Sequence, residues 1–580
     1  MGICLNILHS YNILIIVLLN DFLGDIMKKN NFIDGAIIST LCLVLCKILG
    51  LIYVIPFYKI IGSQGGALYS YAYSIYAVFL NLSTVGIPSA IAKIISEYDT
   101  LHYYESKEKA FKIASKLLNY IGIISFVIMF TFANVIAEHI IGGVEGGNSV
   151  SDVATAIRVV STALLIVPRL SILKGYFQGN KYITQPSIST IIEQLVRVSV
   201  IIIGSFVTVK VFNLPVEYAV FIATFGATLG ALSAFIYLKA KHKKVFDIDK
   251  NNKEEVTGII NQSISSEEKN ISTKALIKKI IVYAIPFVII SILQSAYNVI
   301  DTFTVVKTLS SLGYSTSVAE TTIGVMSTWA SKLNMIVVSM AIGLTASLIP
   351  SVVSSYTKGD FKDINDKLNL SFKMLIFIMT PMAIGMSFLA EPIWHVFYGV
   401  DSLSSSIFRF YILQVIAYGL FSTSITITQS MNQTKITVGA LIASFLLKFI
   451  LNVPIMHLFK AIGIPSYYAP TLVDAISQIL ALIGVLITLK IKYKFSYKEL
   501  IPFIFKVLLG IVSMLIVLYL LKYIYFNNET TLSALITIII YAVVGAIIYF
   551  VVINSFKLFD EIFGSDYKDK LLRKLKIRKD

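Results

Sequence analysis

The chain has 580 residues, of which 56% are hydrophobic and only 14% charged, and its mean hydropathy of +0.79 is far from that of a soluble domain. This composition excludes an ordinary soluble enzyme and indicates a polytopic membrane protein. The net charge of +16 does not point to nucleic acid, because the basic residues follow the membrane topology instead.

Apolar runs of about 20 residues recur along the chain, and each is long enough as a helix to cross roughly 30 Å of hydrocarbon. Residues 1–26 resemble neither a signal peptide nor a full span. We interpret them as a dispensable extension before a start at Met27, with a short interfacial helix as the alternative. The pattern predicts an all-α integral membrane fold with fourteen spans, at residues 33–58, 67–92, 113–137, 152–173, 185–208, 216–238, 280–306, 321–350, 372–390, 405–430, 436–458, 467–489, 500–521 and 531–553.

An internal repeat relates the first six spans to the next six. Gly86 matches Gly343, and Lys181 matches Lys435, at offsets of 257 and 254 residues. Because six is an even number, both copies have the same orientation, which is typical of a transporter with a cavity between two lobes. The sequence therefore divides into a first lobe (27–238), a partly disordered cytoplasmic linker (239–279), a second lobe (280–490), two further helices (491–554) and a basic amphipathic tail (555–580).

The distribution of basic residues predicts the orientation of the chain. Of the 49 lysines and arginines, 36 lie in connections on the amino-terminal side of the membrane and six in the opposite connections. Such an asymmetry is the positive-inside pattern. It predicts that both termini and the 239–279 connection lie in the cytoplasm.

Buried charges are the main functional signal. Charges within spans are costly and normally pair or face a wet cavity, yet the cations here outnumber the acids. We infer that some of these cations bind an anionic ligand. The cations are Lys47, Arg158, Arg169, Arg197, Lys332, Lys448 and Lys506, and the acids are Glu193, Asp301 and Asp474.

The spacing of these charged residues along the sequence shows which of them have a partner on the same helix. Glu193 and Arg197 are four residues apart, which predicts an ion pair, with substrate contact as the alternative. Arg158 and Arg169 are three helical turns apart and share a face. Lys47 and Lys332 have no local partner. They are candidate anion ligands, unless they snorkel or meet a carboxylate from another helix.

The sequence contains no group of residues typical of a catalytic or metal-binding site. Cys42 and Cys46 lie one helical turn apart but have no histidine near them in the sequence. The string GYFQGNK at 175–181 lacks the spacing of a phosphate-binding loop. The sequence thus favours a transporter over an enzyme, with no cofactor and no metal.

Three stretches resemble a known family: ILGLIYVIPFYKIIG (48–62), GYFQG (175–179) followed by EQLVR (193–197), and IPFVIISILQSAYNVIDTFTV (285–305). They are similar to the polysaccharide-transporter branch of the MATE-like flippase superfamily, which includes stage V sporulation protein B and the YtgP and MurJ-type proteins. The likeness runs from about residue 28 to about 555. It implies a V-shaped pair of six-helix lobes in a bacterial plasma membrane that moves a lipid-linked glycan by alternating access.

The substrate implied by the resemblance is lipid II, an undecaprenyl-diphosphate-linked peptidoglycan precursor used in growth or for the spore cortex. Its diphosphate would be the anion that the buried cations await. Alternatives are a flippase for another undecaprenyl-linked glycan and a cation-coupled drug exporter. The expected partners are the lipid-linked glycan, membrane lipids and the cell-wall synthesis machinery, with no nucleic acid, and the expected state is a monomer.

The resemblance also implies roles for individual residues. Lys47 and Lys332 stand where arginine is common in MurJ-type proteins, whereas Leu80, Asn81 and Val85 replace charged residues of Gram-negative members. Met456 replaces an expected acid of the sodium site, which leaves Na⁺, H⁺ or the membrane potential as driving force. The candidates are Lys47, Lys332, Arg197, Glu193 and Arg169 for substrate binding, Gly86, Pro88, Gly343 and Pro350 for gating or ordinary helix packing, and Asp301, Asn452 and Asp474 for ion coupling.

Overall fold

The computed structural model describes residues 32–257 and 272–563. The predicted extension at 1–26, the middle of the linker and most of the basic tail lie outside the described residues. In chain order the helices are α1 (Phe32–Ile52), α2 (Val54–Thr84 and Gly86–Thr100), α3 (Tyr104–Thr131 and Ala133–Ile141), α4 (Val150–Ser161 and Val167–Gly179), α5 (Thr184–Ser199, extended by π-helical turns to Val211), α6 (Val216–Thr257), α7 (Thr273–Ser311), α8 (Thr316–Gly324 and Ala330–Thr357), α9 (Phe361–Phe388 and Ala390–Tyr398), α10 (Ser402–Tyr411 and Gln414–Ser430), α11 (Thr434–Ala461), α12 (Ala469–Tyr493), α13 (Leu500–Ile524), α14 (Thr531–Ser555) and the short α15 (Leu558–Phe563).

The all-α membrane fold predicted from hydropathy is confirmed. Thirteen helices within the described ranges are long and apolar enough to cross a membrane, and α1 adds the shorter apolar stretch Cys42–Ile52. Within α2, Gly62 has a φ of 66° and a ψ of −167°, which are not helical. This kink lies between the first two predicted spans, 33–58 and 67–92. Glycine suits this position because a side chain would strain a positive φ.

Several helices begin at side chains that cap their free backbone N–H groups. Ser149 and Asp152 form a capping box at the start of α4, and Ser272 and Ser315 accept hydrogen bonds from the first turns of α7 and α8. Since these N–H groups have no partner inside the helix, the caps help to fix where each span begins.

The predicted gating residues fall in two different settings. In α2 the helix is interrupted at Val85, immediately before Gly86 and Pro88, where a proline disrupts the regular hydrogen bonding. By contrast, Gly343 and Pro350 lie within the continuous segment Ala330–Thr357 of α8. The repeat therefore relates these positions in sequence, but only the first copy contains a break in the helix at this point.

The predicted linker is helical where it is described. α6 continues through residues 239–257, and α7 begins at Thr273. The polar extension prolongs an established helix, and each added residue contributes one backbone hydrogen bond.

The helices pack into two lobes, α1–α6 and α7–α12, with α2 of the first lobe against α7 and α8 of the second. α13 and α14 pack on each other, and α13 also packs on α9. We call the two ends of the bundle the basic face and the opposite face. The basic face carries connections 101–103, 180–183, 358–360, 431–433 and 494–499, and the opposite face carries 142–149, 212–215, 312–315, 399–401, 462–465 and 525–530.

Candidate functional site

A cavity of about 710 Å³ lies between the two lobes. Its wall combines apolar side chains with hydroxyl, amide and charged side chains from both lobes. Such a wet space is where unpaired intramembrane charges are tolerated. Its aromatic wall is formed by Tyr53, Tyr69, Tyr73, Tyr297, Tyr411 and Tyr418.

Lys332 lines this cavity from the second lobe, as the sequence predicts for an anion ligand. It follows a π-helical turn of α8 at Val325–Trp329, a distortion that is frequent at functional sites. Its Nζ lies 5.9 Å from the centre of the Tyr53 ring, and the described residues supply no carboxylate within ion-pair distance of it. The lysine therefore remains available to an anion.

Arg197 lines the same cavity from the first lobe. Its guanidinium donates a hydrogen bond to Gln194 Oε1 on the preceding turn of α5. The predicted ion pair with Glu193 is not formed: Glu193 instead accepts a hydrogen bond from Lys174 Nζ at 2.9 Å. Spacing along one helix could not reveal this partner, because Lys174 comes from α4. Because Glu193 pairs with Lys174, Arg197 has no bound carboxylate in the described part of the chain.

Two other predicted binding residues do not line the cavity. Lys47 is half-buried in α1, which packs on α5 with Gly50 beside Gln194. Arg169 is exposed, and its Nε donates to Asn119 Oδ1 at 2.7 Å. Arg158 also contacts α3, with its guanidinium 5.8 Å from the Phe130 ring. Hence the two arginines share a side of α4, but that side faces α3.

The three predicted ion-coupling residues are brought together by α7, α11 and α12. Asp301 Oδ1 accepts from Asn452 Nδ2 at 3.1 Å, and both Asp301 and Asp474 lie at the edge of the cavity. Between them is Lys448, whose Nζ is 2.7 Å from each carboxylate. The sequence identified Lys448 as a buried cation but not its partners. Its spacing of four residues from Asn452, on one face of a helix, was the available signal.

The two lobes are in contact at the opposite face. Glu320, at the start of α8, is 1% exposed and accepts hydrogen bonds from the Asn148 backbone N–H and side chain, both at 2.9 Å. Nine residues further along α8, Trp329 packs edge-on against Tyr58 at 5.0 Å between ring centres, and the Thr328 hydroxyl donates to the Gly66 carbonyl at 2.9 Å. We call Asn148, Glu320, Gly66 and Trp329 the opposite-face seal. Sequence reasoning missed it, because no motif connects residues so far apart.

On the basic face the lobes meet along α2 and α7. Asn81 Nδ2 lies 2.5 Å from Ser295 Oγ, and Lys279 pairs with Glu97 at 2.7 Å. Between these contacts, a Cβ on Gly86 would collide with Val288 and approach the Ala284 carbonyl to 3.0 Å. Gly86 thus has a close-packing role in this conformation, which was the alternative to gating.

Comparison with known proteins places this architecture in a family. Residues 32–356 match the model described as polysaccharide biosynthesis protein, and residues 286–453 match the MatE model. The lipid II flippase MurJ of Bacillus subtilis (strain 168) is 30% identical over 535 residues, which cover 90% of this chain and 94% of that protein. Stage V sporulation protein B of the same organism is 24% identical over 229 residues, 39% of this chain and 42% of that one.

The fold also resembles a solved structure of the lipid II flippase MurJ in an inward closed conformation. The TM-score is 0.64 at 19% identity, and the match covers 91% of this chain and 100% of the other. The two-lobed MATE-like arrangement predicted from the sequence is confirmed. The relatives with named activities are flippases and transporters, so the prediction of a transporter rather than an enzyme is confirmed. The chain belongs to the polysaccharide biosynthesis protein family, together with the lipid II flippase MurJ of Bacillus subtilis.

Proposed function

We propose that this protein translocates lipid II, an undecaprenyl-diphosphate-linked peptidoglycan precursor, from the inner to the outer leaflet of the plasma membrane by alternating access. The relative with 30% identity is itself named a lipid II flippase. The observation that carries the proposal is a pair of cations, Arg197 from the first lobe and Lys332 from the second, that line one interlobe cavity without a bound carboxylate in the described residues.

The chemistry of this pair suits a diphosphate. Arginine can donate two parallel hydrogen bonds to a phosphate, and lysine acts as a compact point charge. Because one cation belongs to each lobe, a bound diphosphate would be held across the interface that alternating access must rearrange. The prenyl tail would stay in the lipid while the headgroup crosses.

The orientation follows from charge. With the basic face in the cytoplasm, the chain satisfies the positive-inside pattern, and both termini are then cytoplasmic. In this orientation the opposite-face seal closes the cavity toward the outside. We expect the protein to act as a monomer next to the cell-wall synthesis machinery.

A flippase for another undecaprenyl-linked glycan is the second candidate, because the matched family model describes polysaccharide biosynthesis in general.

Drug export is disfavoured by the charges of the same cavity. A cationic drug needs a free carboxylate, but Asp301 and Asp474, the acids that line the cavity, are both paired with Lys448.

The test is outer-leaflet exposure of lipid II in a flippase-depleted bacterial strain that carries this chain. The wild type should restore exposure. Lys332→Ala and Arg197→Ala should each lower it on the order of 10- to 100-fold, the loss expected for one charged hydrogen bond worth about 1.5–3 kcal/mol. Lys332→Arg should retain most activity, because it keeps the charge.

Arg169→Ala is the matched control, since Arg169 is an intramembrane arginine that contacts Asn119 outside the cavity. It should leave lipid II exposure close to the wild-type level. Full activity of both cavity variants would contradict the proposal. Restoration of a different surface glycan, with no change in lipid II exposure, would favour the second candidate.

A further inference from the structure

A buried cluster in the second lobe combines one lysine with two aspartates. Lys448 Nζ lies 2.7 Å from Asp301 Oδ2 and 2.7 Å from Asp474 Oδ1, and its side chain is 1% exposed. The Tyr297 ring centre is 4.3 Å from the same nitrogen. Asn452 completes the cluster, with its Nδ2 bound to Asp301 at 3.1 Å and to Thr304 at 2.7 Å.

The same residues are those that the resemblance implies for a coupling cation, so they can be tested for fit. Two carboxylates and an amide carbonyl are suitable oxygen ligands for a metal ion. In this chain, however, the space between the carboxylates contains the ammonium of Lys448, which donates a hydrogen bond to Asp301. A second cation there would lie beside a fixed positive charge in a poorly screened interior. The cluster does not fit a mobile cation.

We propose that Lys448 is a tethered counter-cation that takes the place of a mobile coupling cation in the second lobe, so that this cluster binds no Na⁺. The ammonium is held by α11, which is continuous over Thr434–Ala461, and it therefore cannot leave the cluster as a free ion can. Transport by this chain should then not depend on Na⁺ at this site. This consequence rests on the proposed function, whereas the binding behaviour of the cluster does not.

Removal of the lysine should create the site that it now blocks. Lys448→Ala would leave Asp301 and Asp474 facing each other without their ammonium. The Oδ1 of Asn452, which has no hydrogen-bond donor among the described residues, would be available as a third oxygen ligand. Two like charges in a buried space favour uptake of a cation.

The experiment measures thermal unfolding of the purified full-length protein in NaCl and in N-methyl-D-glucamine chloride at equal ionic strength. The wild type should melt at the same temperature in both salts. Lys448→Ala should be less stable than the wild type and should be stabilised by Na⁺, with an upward shift of about 2–4 °C. Lys332→Ala is the matched control, because it removes another cavity lysine but leaves the cluster intact, and it should show no Na⁺ response.

A Na⁺-dependent rise in the melting temperature of the wild type would overturn the proposal, and this measurement needs no variant to fold. The proposal would also be overturned if folded Lys448→Ala melted at the same temperature in both salts. A higher melting temperature of Lys332→Ala in NaCl would overturn it as well. No lipid substrate takes part, so failure here is distinct from failure to restore lipid II exposure.

Discussion

Lys448 and Lys332 are both lysines within apolar helices, but their surroundings give them opposite roles. Lys448 is fixed by two carboxylates at 2.7 Å, and loss of one partner from such a buried group costs about 3–5 kcal/mol. Lys332 faces the cavity with an aromatic ring as its described neighbour. A sequence shows two equivalent charges, whereas the contacts separate a lysine held by two carboxylates from one that has no carboxylate partner among the described residues.

Two glycines on α2 and α8 give a test of packing at single residues. A Cβ on Gly66 would collide with the indole of Trp329, whereas a Cβ on Gly343 would meet no atom of the described residues within 4 Å. Gly66→Ala should therefore destabilise the protein by about 1–3 kcal/mol, the usual cost of overpacking. The melting temperature of the purified variant measures this effect.

Gly343→Ala is the control for that substitution. It lies inside a helix, where alanine is favoured over glycine by about 1 kcal/mol, and it should leave stability unchanged or slightly raised. Equal destabilisation by the two variants would show that the close contact of Gly66 with Trp329 is unimportant.

At the scale of elements, α13 and α14 are attached to the second lobe by a lysine that joins three parts of the chain. Lys373 on α9 pairs at 2.9 Å with Glu499, just before α13, and at 2.9 Å with Glu561 in α15. Its side chain is 8% exposed, although Glu499 is largely exposed. The extra helices thus have a specific charged attachment at the basic face in addition to their apolar packing.

Lys373→Ala should lower thermal stability by about 1 kcal/mol, because two ion pairs are lost but one acidic partner stays well hydrated. The comparison is Lys112→Ala, which removes an exposed pair with Glu108 on one helix and should have almost no effect. If the two variants melt at the same temperature, the attachment through Lys373 contributes nothing to stability.

For the whole molecule, the opposite-face seal joins the two lobes at one end of the cavity. Glu320 accepts two hydrogen bonds from Asn148 across the lobe interface, and Trp329 packs across the same interface on Phe57 and Tyr58. Alternating access requires these contacts to break together. Weakening them should shift the population toward a conformation that is open at the opposite face.

Asn148→Ala should raise the accessibility of the cavity from the opposite face on the order of tenfold, since a hydrogen bond to a charged group is worth about 1.5–3 kcal/mol. The measurement is labelling of Ser331→Cys, a cavity position, by a membrane-impermeant thiol reagent in a background without native cysteines. Ser533→Ala, at the cap of α14, is the control. Unchanged labelling in Asn148→Ala would mean that the seal does not hold the cavity closed.

The sequence by itself determined the membrane class, the order of the spans and the doubled six-helix unit, because hydropathy, charge bias and repeats can be read along the chain without knowing which helices touch. It also identified Lys332, Arg197 and Asp301 as functional candidates, because ionisable groups are conspicuous in an apolar background, and the family resemblance added Asn452. Arg169 and the Glu193–Arg197 pair show the limit of this reasoning, since helical spacing gives the face of a residue but not what that face meets.

Only the tertiary structure decided the partners. Lys174 rather than Arg197 neutralises Glu193, Lys448 neutralises Asp301 and Asp474, and Asn148 meets Glu320 from 172 residues away. Each pairing depends on how separate helices approach and rotate about their axes, and that geometry is set by packing of the whole bundle. Charge can be counted in a sequence, but which charges remain free for a substrate is settled by distances between helices.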